Sequence, residues 1–393
     1  VQGLDADAGR VAAIREELQE RGLYGAISVD TFDGTHLPYV DRLVNLLVLS
    51  VDVPEEEVQR VLAPRGAALI AEDIECSLER EPFAEGYARY VQPVPAGTDE
   101  WPQYLHGPGN NAVAQDRAVG PPKHLQWVAA PEWTRNHHKL NSISASVSAG
   151  GRIFYIVDEA TAANMAVPGK WRLVARDAYS GVLLWKKPLE SWAWHGIRFR
   201  SGPPQVARLL VAGDGALYAP LGLNAPVSKL DPTTGATRAT YKPTAGAEEM
   251  ILVDGTLLVL TGAPVAEQAQ KHPRFAKQYQ FPNRKHLVAI DTATGHVRWK
   301  WSAESANPQP ETLASDGERV YMQVADGVVA LGLDTGDQEW SYGDTTGKRR
   351  RKLTFGQYTL VVADGVVLCN LEGTVTALAA VSGRDYVQPD DIK

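Results

Sequence analysis

The apolar positions of the first ninety-five residues switch period repeatedly. Val11, Ile14 and Leu18 fall at helical spacing within Ala8–Glu20, and Glu55–Leu62 reads as a second helix. Short apolar runs at Val1–Asp5, Ala26–Val29, Leu43–Leu49 and Ala67–Ala71 predict strands between and around them. Gly22, Gly25, Gly34 and Pro64-Arg65-Gly66 punctuate the series. Strand–helix alternation of this kind predicts a parallel sheet with helices outside, a doubly wound, Rossmann-like α/β domain over residues 1–95.

From residue 96 onward the pattern is one of short strands and tight turns. A motif recurs at Arg176–Trp185, Leu230–Tyr241, Ile290–Trp299 and Leu333–Trp340, with a degraded copy at Ala379–Val387. Its turn glycines are Gly181, Gly235, Gly295, Gly336 and Gly383, separated by 54, 60, 41 and 47 residues. The aspartate opens a turn by accepting backbone N–H groups, and the glycine takes the positive φ that closes it. A large aromatic four residues past most of these glycines lies on one strand face and can wedge between neighbouring sheets. Upstream strand pairs at Gly151–Val157, Asp214–Gly222, Asp254–Gly262, Gly317–Leu331 and Tyr358–Leu378 carry Asp-Gly or similar hairpin signals. Residues 96–393 therefore read as an all-β propeller. With an opening strand at His124–Ala130 the chain shows about six blades.

Composition agrees. Gly 35, Pro 25 and Trp 10 are high counts for a chain with Met 3 and Phe 7, which favours a turn-rich β architecture over a helical one. Residues 1–95 hold 18 acidic residues against 8 arginines and no lysine, whereas the remainder is nearly balanced, so the charge break falls at the domain boundary. No face-wide basic excess suggests a nucleic-acid partner, and no apolar run approaches a membrane span. Cys76 and Cys369 stand alone and imply neither a disulfide framework nor a thiolate metal site.

The runs "VQGLDAD", "VDTFDGTHLPYVDRLVNLLVLS" and "VQRVLAPRGAALIAED" resemble the second to fifth strands of a class I S-adenosylmethionine methyltransferase. The resemblance implies that Asp5 holds the cofactor ribose hydroxyls and Asp33 contacts the adenine amino group. Leu62, Pro64 and Gly66 match a conserved loop element of that family. The family's first strand and glycine-rich loop would precede Val1, so the methyltransferase-like domain reads as partial. S-adenosylmethionine and methyltransferase activity are implied only for a longer protein that supplies them; otherwise this half serves packing.

"DEWPQYLHGPGNNAVA" (Asp99–Ala114) and the tryptophan repeats resemble the quinoprotein-like propellers, which include quinoprotein dehydrogenases and the outer-membrane assembly lipoprotein. The domain order resembles large bacterial fusion proteins of planctomycete type. This resemblance implies an exported, periplasmic location. It also implies seven or eight blades, so the propeller is expected to be incomplete, its ring closed by a partner protein or by further segments of the same polypeptide. Quinone dehydrogenases of this fold use adjacent cysteines and a calcium ion; with no Cys-Cys pair, PQQ is not expected, nor is any cofactor in this chain.

Three clusters carry chemistry. His137 and His138 in "RNHHKLNS", with Asp158 or Glu159, have metal-ligand chemistry, against a polar loop as the plainer reading. His195, Arg198 and Arg200 lie among tryptophans and suit an anion or sugar ring, against an inter-blade loop. Lys348–Lys352 is a run of five cations, a solvated loop or a surface for an acidic partner, the acidic N-terminal domain included. The insertion Ala263–His286 interrupts one blade, with a helical stretch broken at Pro273. The leading expectation is a non-catalytic propeller acting as a binding or assembly module. A methyltransferase whose propeller binds the acceptor is the alternative, and a quinone- or metal-dependent oxidoreductase the second alternative.

Overall fold

In the computed structural model, the described residues are 1–84, 86–122, 125–130, 143–161, 163, 167, 169–189, 207–222, 224–262, 284–303, 307–347, 359–371 and 373–386. The chain divides into two compact units, one of residues 1–98, 117–128 and 179–181, the other of 99–116, 129–178 and 182–393.

In the first unit, β1 (Gln2–Asp5) leads into α1 (Ala8–Glu20) and β2 (Ser28–Thr31). Asp7 caps α1 by accepting the Gly9 and Arg10 N–H groups, and Val11 and Leu18 bury their apolar stripe against Val29. Next come β3 (Val44–Leu49), α2 (Glu55–Val61), β4 (Leu62–Ala71), β5 (Glu81–Ala84) and β6 (Tyr87–Val91). Three glutamates, Glu55 to Glu57, open α2 where the helix dipole favours negative charge. Phe32, Leu37, Leu49, Val58, Leu62 and Ile70 share one core.

The single parallel sheet expected from the sequence is not formed by the described residues. β1 and β2 make a separate parallel pair, and the other strands make a mixed sheet in the order β3-β4-β6-β5. β6 runs antiparallel to both neighbours, and with β5 the tight connection permits only a hairpin. β4 also starts earlier than Ala67. It passes through Pro64 and Gly66, with Arg65 at φ 68° and a register shift between Val44 and Leu46. A bulge there absorbs the residues that read as a break. A Cβ on Gly66 would meet the Ala63 and Val44 carbonyls at 2.8 Å, so glycine is required at this close approach.

The second unit is built of antiparallel sheets in chain order. Blade 1 comprises β7 (Ile143–Ala149), β8 (Arg152–Asp158), β9 (Trp171–Asp177) and β10 (Leu183–Pro188). Blade 2 holds β11 (Val211–Gly213), β12 (Ala216–Pro220), β13 (Val227–Leu230) and β14 (Thr237–Tyr241). Blade 3 holds β15 (Ala247–Val253), β16 (Thr256–Thr261), β17 (His286–Asp291) and β18 (Val297–Trp301). Blade 4 holds β19 (Ala314–Ser315), β20 (Arg319–Val324), β21 (Asp326–Gly332) and β22 (Gln338–Asp344). Blade 5 shows β23 (Leu360–Ala363), β24 (Val366–Leu371) and β25 (Thr374–Ala379), with a bridge from Leu378 to Asp385. These are the repeated sheets of a β-propeller. Asp214-Gly215, Asp254-Gly255 and Asp364-Gly365 all take positive φ at both residues, as two-residue hairpin turns require.

The described residues thus form five repeat sheets, where the sequence suggested about six. Residues 125–130 are not a strand, which corrects the opening strand read at His124–Ala130. Trp127 nonetheless packs its indole on Gly181. The same contact recurs from sheet to sheet: Trp185 lies on Gly235, Tyr241 on Gly295, Trp299 on Gly336 and Trp340 on Gly383. The indoles of Trp185, Trp299 and Trp340 also donate to the Pro232, Leu333 and Ala380 carbonyls at 3.0, 2.8 and 2.9 Å. Each of these three indoles therefore packs a large ring and satisfies its one polar atom. A side chain at Gly235 would meet Trp185 at 2.7 Å, so the turn glycine serves the wedge as well as the turn.

Candidate functional site

The "WPQYLHGPGN" segment runs across the first strands of all five sheets. The Ser148 and Ala212 N–H groups donate to the Trp101 and Pro102 carbonyls, both at 2.8 Å. Gln103 pairs with both backbone groups of Leu252, donating to its carbonyl at 3.0 Å and accepting its N–H at 2.9 Å. The Ser315 and Val362 N–H groups donate to the Pro108 and Gly109 carbonyls, again at 2.8 Å. Asn110, at φ 59°, donates to the Leu313 and Leu360 carbonyls at 2.9 and 3.0 Å. The segment occupies hydrogen-bonding positions that five strand edges would otherwise leave open.

Beside this stitch lies a buried charge cluster that the sequence reading missed. Glu249, in β15, is fully buried, and its Oε1 is 2.7 Å from the Arg208 guanidinium. Its Oε2 accepts the Glu311 and Leu313 N–H groups at 2.7 and 3.3 Å. Arg208 also lies over the Tyr104 ring, 5.1 Å from its centroid. Burial pushes the Glu249 carboxyl up, and Arg208 with the two N–H groups opposes it. Glu248, at the register shift that opens β15, takes its own cation, Lys285, at 2.6 Å. The one available signal was the pair of glutamates heading the apolar strand "AEEMILV" with no cation nearby in sequence.

Glu311 sits at φ 75°, a conformation that disfavours its side chain. Burial pushes its carboxyl up to about 7; Arg208 lowers it, and the Glu249 charge raises it further. A folded-state value above the usual 4.5 means that the native chain holds a proton the unfolded chain releases. Stability therefore falls as pH rises from about 4.5 to about 7. Glu311→Gln is expected to flatten that slope. Urea unfolding at about pH 5 and about pH 8 checks it: parallel losses in wild type and variant would assign the slope to other groups.

The residues singled out in the sequence fall as follows. Asp5 closes β1, pairs in register with Thr31, and lies 3.0 Å from Arg10 Nη1. Asp33 follows β2 by two residues, so both carboxylates stand at the carboxyl end of the β1–β2 pair. Asp33 Oδ1 accepts the Thr35 N–H and hydroxyl and the His36 N–H at 2.8, 2.8 and 3.0 Å, which holds its carboxyl at about 2. It closes a turn. Leu62, Pro64 and Gly66 lie within β4. Asp158, buried at the end of β8, accepts the Ala160 and Lys170 N–H groups at 2.9 and 2.7 Å. Glu159 pairs with Lys186 at 2.5 Å. Among the described residues no group of three or more His, Cys, Asp or Glu side chains could hold a metal ion. His137, His138, His195, Arg198, Arg200, Lys348–Lys352 and positions 263–283 of the insertion lie outside the described residues. No helix among the described residues is long and apolar enough to cross a membrane.

The model of the outer membrane protein assembly factor BamB family matches residues 223–389. No curated protein matches the chain in sequence. Similar solved structures include the following three. The quinohemoprotein alcohol dehydrogenase from Comamonas testosteroni is 15% identical over 74% of this chain and 49% of its own, with a TM-score of 0.44. A europium-containing methanol dehydrogenase is 12% identical over 73% of this chain and 57% of its own, at 0.47. BamB from Moraxella catarrhalis is 18% identical over 61% of each chain, at 0.33. The chain thus spans about half to three fifths of these structures. Residues 223–389, which run from blade 2 to blade 5, are therefore similar in sequence to the outer membrane protein assembly factor BamB repeat family.

Proposed function

We propose that the chain is a non-catalytic β-propeller module that binds or assembles with protein, in an exported compartment like the family its repeats match. One observation carries the reading. In β12, β16 and β21 every residue is buried, because neighbouring sheets cover both faces. In β24 burial alternates instead, and Leu368, Val375 and Val381 of blade 5 are 43%, 76% and 70% exposed. That open face offers the same apolar surface that the other sheets use to pack, and a further sheet, from a partner protein or from the same polypeptide, fits it. The Arg208–Glu249 pair supports the reading from another side. Both Glu249 oxygens are already bonded to protein, so the cluster acts as a clasp rather than an open reactive set. A photoreactive residue at Val375 should crosslink a discrete protein in cells, and Leu368→Arg with Val381→Arg should abolish the adduct.

A second reading, an S-adenosylmethionine methyltransferase-like domain, is favoured by the placement of Asp5 and Asp33 at the carboxyl end of two parallel strands, where α/β sheets take ligands. Calorimetric titration with S-adenosylmethionine decides between the two. Micromolar binding that disappears in Asp5→Ala would overturn the non-catalytic reading.

A further inference from the structure

β18 reads Val-Arg-Trp-Lys-Trp and carries two tryptophans on one face, two residues apart. Trp299 is the wedge, 8% exposed, with its indole N–H on the Leu333 carbonyl. Trp301 lies one repeat further along and makes no side-chain hydrogen bond among the described residues. Its ring is only partly buried, at the rim of the core between blades 3 and 4. Blade 1 has Lys187 at the position two past its wedge and blade 4 has Tyr342, so the second indole is not part of the repeat.

Trp301 lines a cavity of about 410 Å³, within the usual range of small-molecule sites. Val324 and Val329 supply apolar wall, while Ser302, Gln338 and Thr345 supply hydroxyls and a carboxamide. The Ser302 hydroxyl is fixed by His286 Nδ1 at 2.5 Å. Among the described lining residues there is no charged side chain. The described lining thus presents no charge to phosphate, carboxylate or metal ligands. What the cleft offers is an aromatic face, a free indole donor and neutral groups that both donate and accept. Those are the requirements of a pyranose ring, whose axial C–H face stacks on an aromatic while its rim of hydroxyls exchanges neutral hydrogen bonds.

We propose that the cleft between blades 3 and 4 binds a neutral sugar ring of an oligosaccharide, with Trp301 as the stacking platform and Gln338, Ser302 and Thr345 reading its hydroxyls. The proposal is independent of the protein-binding face on blade 5.

Saturation-transfer NMR and calorimetry on the whole chain test it, with maltotriose, cellotriose and chitotriose as probes and a uronic acid trimer and AMP as controls. At least one neutral trisaccharide is expected to bind with a Kd of about 1 mM or tighter. Trp301→Ala should weaken that binding about tenfold or more, Trp301→Phe much less, and Gln338→Ala about threefold, all with only a small change in thermal midpoint. Gln338 is exposed at the start of its strand, so its variant keeps the test valid even if Trp301→Ala folds poorly. The proposal is overturned if no neutral probe binds at about 10 mM, if binding survives Trp301→Ala, or if AMP binds in preference.

Discussion

Replacing Arg208 with methionine is expected to cost about 3–5 kcal/mol of folding free energy, because it strands the Glu249 carboxylate in a fully buried position. The cost arises from the orphaned charge more than from the lost attraction, and a second substitution separates the two. Glu249→Gln keeps a carbonyl oxygen for the Glu311 and Leu313 N–H groups while removing the charge. Arg208→Met combined with Glu249→Gln should therefore recover at least about 2 kcal/mol of the loss, a coupling that a double-mutant cycle in urea reads directly. The deficit of the single variant should also shrink as pH falls toward about 5. Burial raises the Glu249 carboxyl, so the folded state binds a proton more readily than the unfolded chain, and stability is lost as pH rises. A loss below about 1 kcal/mol at neutral pH would mean that Glu249 is already protonated and that the cluster is not an ion pair.

The parts of the fold that were legible in the sequence are those fixed by local physics. Asp231 accepts the Thr233 and Thr234 N–H groups, and Asp291 those of Ala293 and Thr294, so each turn is determined within four residues. The Asp-Gly hairpins and α1 are equally local. What could not be read is whatever closes at long range. The stitch joins Trp101 to Ser148, Gln103 to Leu252 and Asn110 to Leu360, across 47, 149 and 250 residues. The charge cluster joins residues 41 and 62 positions apart. No pattern of periods reports such pairs, and Glu249 read only as a polar residue at the head of a strand. In the first unit the helices were readable from their stripes. The sheet directions were not, because the β5–β6 turn lacks the Asn-Gly or Asp-Gly signature that marks a hairpin. Asp33 illustrates a different limit. A resemblance assigns it to a ligand, while three local hydrogen bonds show it closing its own turn.

The tandem tryptophans of β18 allow structure and binding to be separated within one strand. Trp299→Ala is expected to lower the unfolding free energy by about 3–5 kcal/mol, the cost of a large cavity in a well-packed site, and to leave the Leu333 carbonyl without its donor. Gly336→Ala should also destabilise, for a matching reason. Its φ of 73° strains any side chain, and the added Cβ would sit 2.5 Å from the Trp299 ring. Trp301→Ala, on the same strand face, should cost under about 1 kcal/mol. Its ring is only partly buried, its N–H satisfies no carbonyl among the described residues, and its removal only widens a cavity that is already open. Urea unfolding of the three variants measures the contrast. Equal losses for Trp299→Ala and Trp301→Ala would make the second indole another wedge, with its ring committed to holding blades 3 and 4 together. A large loss at Trp299 beside a near-neutral Trp301 would leave packing without an explanation for why an indole stands at the mouth of that cleft, and recognition of a ligand would supply one.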